Sequence, residues 1–202
     1  RTDPPPRPPC SPAVPAYYHS GARDLFVGAL CVTGCLLLTY LAAQRRTWDY
    51  WLSTVAGAAV LGVALLPTNR PDFYPGPPTP LQARWGEHTV AALHFTCAGV
   101  FILSMAGLCF VFAARDRRYG GRPRLHRACG GLILAAVAWA ALGFVVDVDV
   151  GWLTSVYLAE VVAVWSFGVS WLVKGLDLLR GTPARARAQR SPTQSHLQNG
   201  SQ

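Results

Sequence analysis

The sequence predicts an all-α polytopic transmembrane helix bundle, with five spans visible in its 202 residues and six expected in the full-length protein. Three observations carry this. Residues 25–43, 51–66, 89–114, 128–146 and 153–173 form apolar blocks. Each is close to the roughly 20 residues of helix that cross a hydrocarbon core about 30 Å thick. Composition agrees: 51% of the chain is hydrophobic and 14% charged, and mean hydropathy is +0.26.

The third observation is that the 18 Lys and Arg are divided unequally between the two ends of these blocks. Thirteen fall on one side: Arg45 and Arg46 in the first connection, Arg115, Arg117, Arg118, Arg122, Arg124 and Arg127 in the third, and Lys174, Arg180, Arg185, Arg187 and Arg190 at the C-terminal end. Five fall on the other: Arg1, Arg7, Arg23, Arg70 and Arg84. Basic residues mark the cytoplasmic face of membrane proteins, so residue 1 is expected outside and the C-terminus in the cytoplasm. A β-barrel is excluded because Leu36-Leu37-Leu38 and Val60–Leu66 are apolar on every face, whereas barrel strands alternate.

Along the chain, residues 1–16 are Pro-rich and expected to lie outside as an extended segment. A first span preceding them is expected, because it would bring both ends into the cytoplasm. Residues 17–176 are assigned to the bundle. Trp48 and Trp51 anchor the inner start of the second span, Trp152 the outer start of the fifth, and Trp171 with Lys174 its inner end. The connection 67–87 holds Pro67, Pro71, Pro75, Pro77, Pro78 and Pro80 with Phe73, Tyr74 and Trp85, which suits a rigid cap on the outer surface. Residues 177–202 read as a disordered cytoplasmic tail. Ser53-x-x-x-Gly57 and Ala159-x-x-x-Ala163 permit close helix approach.

The net charge of +8 follows from this topology and from contact with anionic headgroups, so membrane lipids are the expected partners and nucleic acid is not. Six cysteines occur without a Cys-x-x-Cys pair. Cys31 and Cys35 share a helix face, Cys97, Cys109 and Cys129 lie in or beside other spans, and Cys10 stands alone outside; they read as small packing residues.

The ionisable residues of the spans gather at one end. His19, Arg23 and Asp24 lie at the outer mouth of the first span, Glu87, His88 and His94 at that of the third, and Asp147 and Asp149 at the end of the fourth. Glu160 lies about two turns inside the fifth, with Tyr157 on its face as a donor, while the inner halves of the spans read as free of ionisable groups. A charge at membrane depth costs a few kcal/mol, so Glu160 is expected to face the bundle. Tyr17, His19, Arg23, Asp24, His94, Tyr157 and Glu160 are therefore the candidate ligand-binding cluster. Expected partners are Arg23 with Asp24 or Glu160, and His94 with Glu160 or an Asp of the fourth span. Three uses compete: a polar plug fixing helix register, a site for a lipid headgroup or small polar ligand, and a metal-dependent hydrolase acting on a lipid. No His-Glu-x-x-His or His-x-x-x-His pair is present to hold a metal, so no cofactor is assigned, no catalytic residue is named, and binding or structure is favoured over an enzyme.

Tyr17-Tyr18-His19-Ser20 with Ala22–Gly28, Gly62–Thr68 closing the second span, His94-Phe95, and Glu160 followed by Trp165–Gly175 resemble a large group of uncharacterised bacterial integral membrane proteins. The likeness runs from about residue 16 to 176. It implies six spans, the first preceding the tyrosines, in a bacterial plasma membrane, and it implies no activity. A fainter similarity to the DRAM/Sfk-like six-span family implies a role in lipid or membrane homeostasis. The intramembrane hydrolases related to alkaline ceramidases carry a Ser, Asp and multiple-His metal pattern that is not matched here, since the fifth span has no second His.

Overall fold

The computed structural model describes residues 21–40, 47–70, 77–119, 121–146 and 154–198. Among them the secondary structure is helical throughout: α1 (Arg23–Thr39), α2 (Trp48–Leu65), α3 (Pro80–Trp85), α4 (Glu87–Tyr119), α5 (Pro123–Val146) and α6 (Ser155–Gln198). Local chemistry sets the boundaries. The Thr47 hydroxyl accepts the Tyr50 N–H and caps α2. Thr79 and Gln82 cap each other's backbone at α3, with Pro80 in the first turn, where its missing N–H costs nothing. Gly86 then ends α3 at φ 83°, a left-handed backbone that suits glycine, and α4 begins one residue later.

Four helical stretches are long and apolar enough to cross a membrane: Trp48–Leu65, Glu87–Arg117, Pro123–Gly143 and Ser155–Asp177. This is the pattern of a multi-pass membrane protein. The predicted first span, 25–43, is helical only to Thr39, because Tyr40 adopts an extended backbone. At 17 residues α1 extends about 26 Å. Residues 41–43 lie outside the described residues, as does the predicted outer-loop stretch 71–76. The α6 helix runs on past its apolar segment to Gln198.

α4 is the central helix. It packs on α2 along one side and on α5 along the other; α1 lies against α2, and α6 lies against α5 while also touching α4. One core cluster gathers Met105, Cys109, Cys129, Ile133 and Ala163. The other gathers Leu37, Ala56, Val60, Leu108 and Phe112. Small residues bring α1 and α2 together. A β-carbon on Gly57 would sit 2.8 Å from Leu38 and 3.0 Å from the Gly34 carbonyl, so neither helix has room for a side chain there. The buried Ser53 hydroxyl donates to the Leu37 carbonyl across the same seam. Cys109 and Cys129 pack in the core as small apolar residues. The outer surface is studded with exposed Leu36, Val55, Leu103, Leu132, Val164 and Trp165. Such a surface is stable against lipid and a liability in water.

Candidate functional site

Two polar regions lie at opposite ends of the bundle. The first is at the proline-loop end, where α1, α4 and α6 begin and α2 finishes. Arg70 closes this end by gripping Glu87, its guanidinium nitrogens 2.5 and 2.9 Å from Oε1. Buried Gln82 donates to the Thr68 carbonyl at 3.0 Å and holds α3 down. Beneath this cap, His94 is 2% exposed and its Nδ1 lies 2.5 Å from the Leu66 carbonyl. A carbonyl only accepts, so Nδ1 carries a proton and donates. His94 therefore ties α4 to the end of α2, rather than pairing with Glu160; Asp147 and Asp149 of the fourth span lie outside the described residues. Its other nitrogen, Nε2, is buried with no hydrogen-bond partner.

His94 and Glu160 line one cavity of about 220 Å³ between α1, α2, α4 and α6. The remaining wall is apolar: Phe26 and Leu30 of α1, Val63 of α2, Ala98, Phe101 and Ile102 of α4, Val161, Val164 and Trp165 of α6. Val164 and Trp165 are themselves exposed on the outer surface, so the cavity meets the lipid-facing side at α6. Glu160 also lines a second cavity of about 270 Å³ between α4, α5 and α6, walled by residues such as Phe95, Val137 and Ala159.

Of the predicted cluster, then, the structure brings His94 and Glu160 to one cavity. Arg23 and Asp24 are exposed on the first turn of α1 and do not line it; Phe26, one turn on from Arg23, does. Tyr157 is half-buried and also off the lining. Tyr17 and His19 lie outside the described residues. Among the described residues no three of His, Cys, Asp and Glu come together as a metal-holding set.

The second region, at the arginine-rich end, corrects the reading that the inner halves of the spans lack ionisable groups. α4 continues past its apolar block to Tyr119 and α5 starts at Pro123, five residues before the apolar block at 128. Asp116 and His126 are thereby carried into the helices and buried at 5% and 0% exposure. Lys174 of α6 pairs with Asp116 Oδ1, and the Arg122 backbone N–H donates to Oδ2 at 3.0 Å. His126 Nε2 sits 3.2 Å from Oδ2, and its Nδ1 is 2.7 Å from the Ser170 hydroxyl. A β-carbon at Gly121 would fall on the Asp116 carboxylate, so the α4–α5 turn needs glycine there. Next to Asp116 in the chain, Arg115 holds buried Asp49 of α2 at 2.8 Å. Phe112 stands edge-on to His126 and Trp171, and Tyr40 of α1 packs 4.5 Å from Trp171, ring centre to ring centre.

Sequence reasoning missed Asp49, Asp116, His126 and Ser170, and took Lys174 only as an interfacial anchor. A usable signal was present in Arg122-Pro123: proline in a first helical turn predicts α5 starting there, which places His126 inside it. Ser170, His126 and Asp116 stand in the order of a charge relay, but the Ser170 side chain is completely buried and lines none of the cavities described. Arranged this way, the group joins α4, α5 and α6.

Compared with protein-family models, curated proteins and solved structures, the chain matches none.

Proposed function

We propose that this protein is a lipid-binding integral membrane protein, taking an acyl chain into the cavity between α1, α2, α4 and α6 with the lipid's polar end toward His94 and Glu160. The observation that carries this is the His94 ring. One nitrogen is satisfied, while the other is buried without a hydrogen-bond partner, in a residue that lines a cavity whose wall is apolar apart from His94 and Glu160. A buried polar atom left without a partner costs about 1–3 kcal/mol. A donor arriving with an apolar ligand would recover that cost, and the wall of Phe26, Leu30, Phe101 and Val161 suits a hydrocarbon chain.

Ala98 lines both cavities that Glu160 touches, so Ala98→Phe fills them without altering a polar group. Native mass spectrometry of the protein released from mild detergent should show a retained lipid that Ala98→Phe loses. Equal retention by both proteins would refute the site.

The same reading makes α1 a fifth span, since 17 residues is at the short end of spanning lengths. It also sets the arginine-rich end in the cytoplasm of a bacterial plasma membrane, with the proline-loop end outside. In a variant with Cys10 replaced by serine, a cysteine introduced at Gln194 should then resist an impermeant maleimide in intact cells and react after lysis. Labelling in intact cells would invert the orientation.

A further inference from the structure

A groove of about 480 Å³ opens between α1 and α6 toward the arginine-rich end. α1 lies against α2 while α6 lies against α5, which leaves this side of the bundle unfilled. Thr33, Leu36 and Leu37 line the groove from α1, Tyr40 from the end of that helix, and Phe167 and Trp171 from α6. Two donors on this wall, the Tyr40 O–H and the Trp171 N–H, have no hydrogen-bond partner among the described residues. Neither atom is fully buried. An indole N–H can only donate, so it asks for an acceptor.

The Arg115–Asp49 pair stands close enough to the Tyr40 hydroxyl to act on it electrostatically. Asp49 takes one guanidinium nitrogen at 2.8 Å, and the Arg115 side chain keeps 36% of its surface exposed. A guanidinium carries five N–H donors, so others remain for a ligand. Pairing with Asp49 makes Arg115 a source of directed N–H groups rather than of net charge. The net field comes from the whole end. Arg115, Arg117, Arg122, Arg124, Arg127 and Lys174 outnumber Asp49, Asp116 and Asp177 there among the described side chains.

We propose that this groove is a second lipid site, separate from the cavity at the proline-loop end, and that it takes an anionic phospholipid from the leaflet at the arginine-rich end. The lipid phosphate accepts from Tyr40, Trp171 and Arg115, and an acyl chain lies along Leu36, Leu37 and Phe167. Charge complementarity selects the headgroup. A choline lipid brings the same phosphate, but its own ammonium is repelled by the surrounding cations.

The full chain is placed in nanodiscs of equimolar phosphatidylglycerol and phosphatidylcholine, and native mass spectrometry weighs the lipids it retains on release. The parent should hold phosphatidylglycerol about tenfold over phosphatidylcholine. Thr33→Phe fills the groove without touching a charge and should abolish that retention. Tyr40→Phe removes a single oxygen, which spares the fold, and should lower it by about three- to tenfold. Arg115→Met/Asp49→Leu removes both charges at unchanged net charge and should lower it as well. Ala98→Phe, which fills the other cavity, should leave it intact.

Phosphatidylglycerol retained equally by the parent, Thr33→Phe and Tyr40→Phe would show diffuse attraction to the arginines and overturn the site. Equal retention of both lipids, lost in Thr33→Phe, would overturn the anionic assignment. Loss in Ala98→Phe but not in Thr33→Phe would place the lipid in the other cavity, leaving lipid binding there standing. Displacement of the lipid by soluble glycerol phosphate would overturn the lipid in favour of a free phosphate. Thr33→Phe losing its lipid while Ala98→Phe loses none would uphold this site and refute the other.

Discussion

The two polar regions of this bundle hold similar residue types and do opposite things with them. At the arginine-rich end, His126 Nδ1 meets the Ser170 hydroxyl, and its Nε2, though it makes no hydrogen bond, stands 3.2 Å from the Asp116 carboxylate, which also takes Lys174 and a backbone N–H. At the proline-loop end, His94 is nearly as buried and lines a cavity, yet its Nε2 has neither a hydrogen-bond nor an ion-pair partner among the described residues. A polar group with its partners inside the fold contributes stability and uniqueness of packing. A polar group with one partner missing, beside space a ligand can fill, costs stability until something binds. Burial and residue type alone do not separate the two; the inventory of partners does.

That contrast breaks most visibly at Asp116. Asp116→Ala should lower stability by about 3–5 kcal/mol, because Lys174 is left without its counter-charge. Thermal unfolding in detergent measures this. The double variant Asp116→Leu/Lys174→Met should recover much of the loss, since it removes both members of the ion pair together. A single variant as stable as the parent would mean that water already reaches this end.

Gly57→Val, on the seam that neither region uses, should cost about 1–3 kcal/mol by forcing α1 away from α2. The cavity then widens on its α1 side, so lipid retention should fall with stability. Retention unchanged at reduced stability would show that α1 is not part of the binding wall.

Ser170→Ala sharpens the contrast from the saturated side. Removing one hydroxyl from His126 should cost about 1 kcal/mol and leave lipid retention unchanged. Loss of retention would tie the network to the cavity and dissolve the division between the two ends.

Glu160→Gln should have the smallest effect on folding, within about 0.5 kcal/mol, because the half-buried side chain keeps its shape at the cavity edge. Its effect belongs to ligand preference. A melting shift as large as that of Asp116→Ala would place Glu160 among the structural charges instead.

Much of this was legible in the chain. The apolar blocks give helices wherever they are long enough, because in a bilayer each backbone N–H and C=O must be satisfied within its own segment. His94 and Glu160 stood out as ionisable groups in apolar surroundings, and their meeting at one cavity lies within reach of that reasoning. Arg23, Asp24 and Tyr157 were equally plausible by position along their helices, yet they stay off the lining. Position along a helix is periodic information; which face meets which neighbour is not.

What the sequence determined by itself was therefore the helical class, the approximate helix positions and the lopsided distribution of basic residues, all consequences of hydropathy summed over windows. What only the tertiary structure decided was the status of each charge. Asp116, His126 and Asp49 look like loop or interface residues when counted one at a time, because a lone charge belongs in water. Packed against Lys174, Ser170 and Arg115 from other helices, they extend α4 and α5 beyond their apolar blocks. The cost of burying a charge depends on what stands a few ångströms away, and residues 58 positions apart in the chain supply that only after folding.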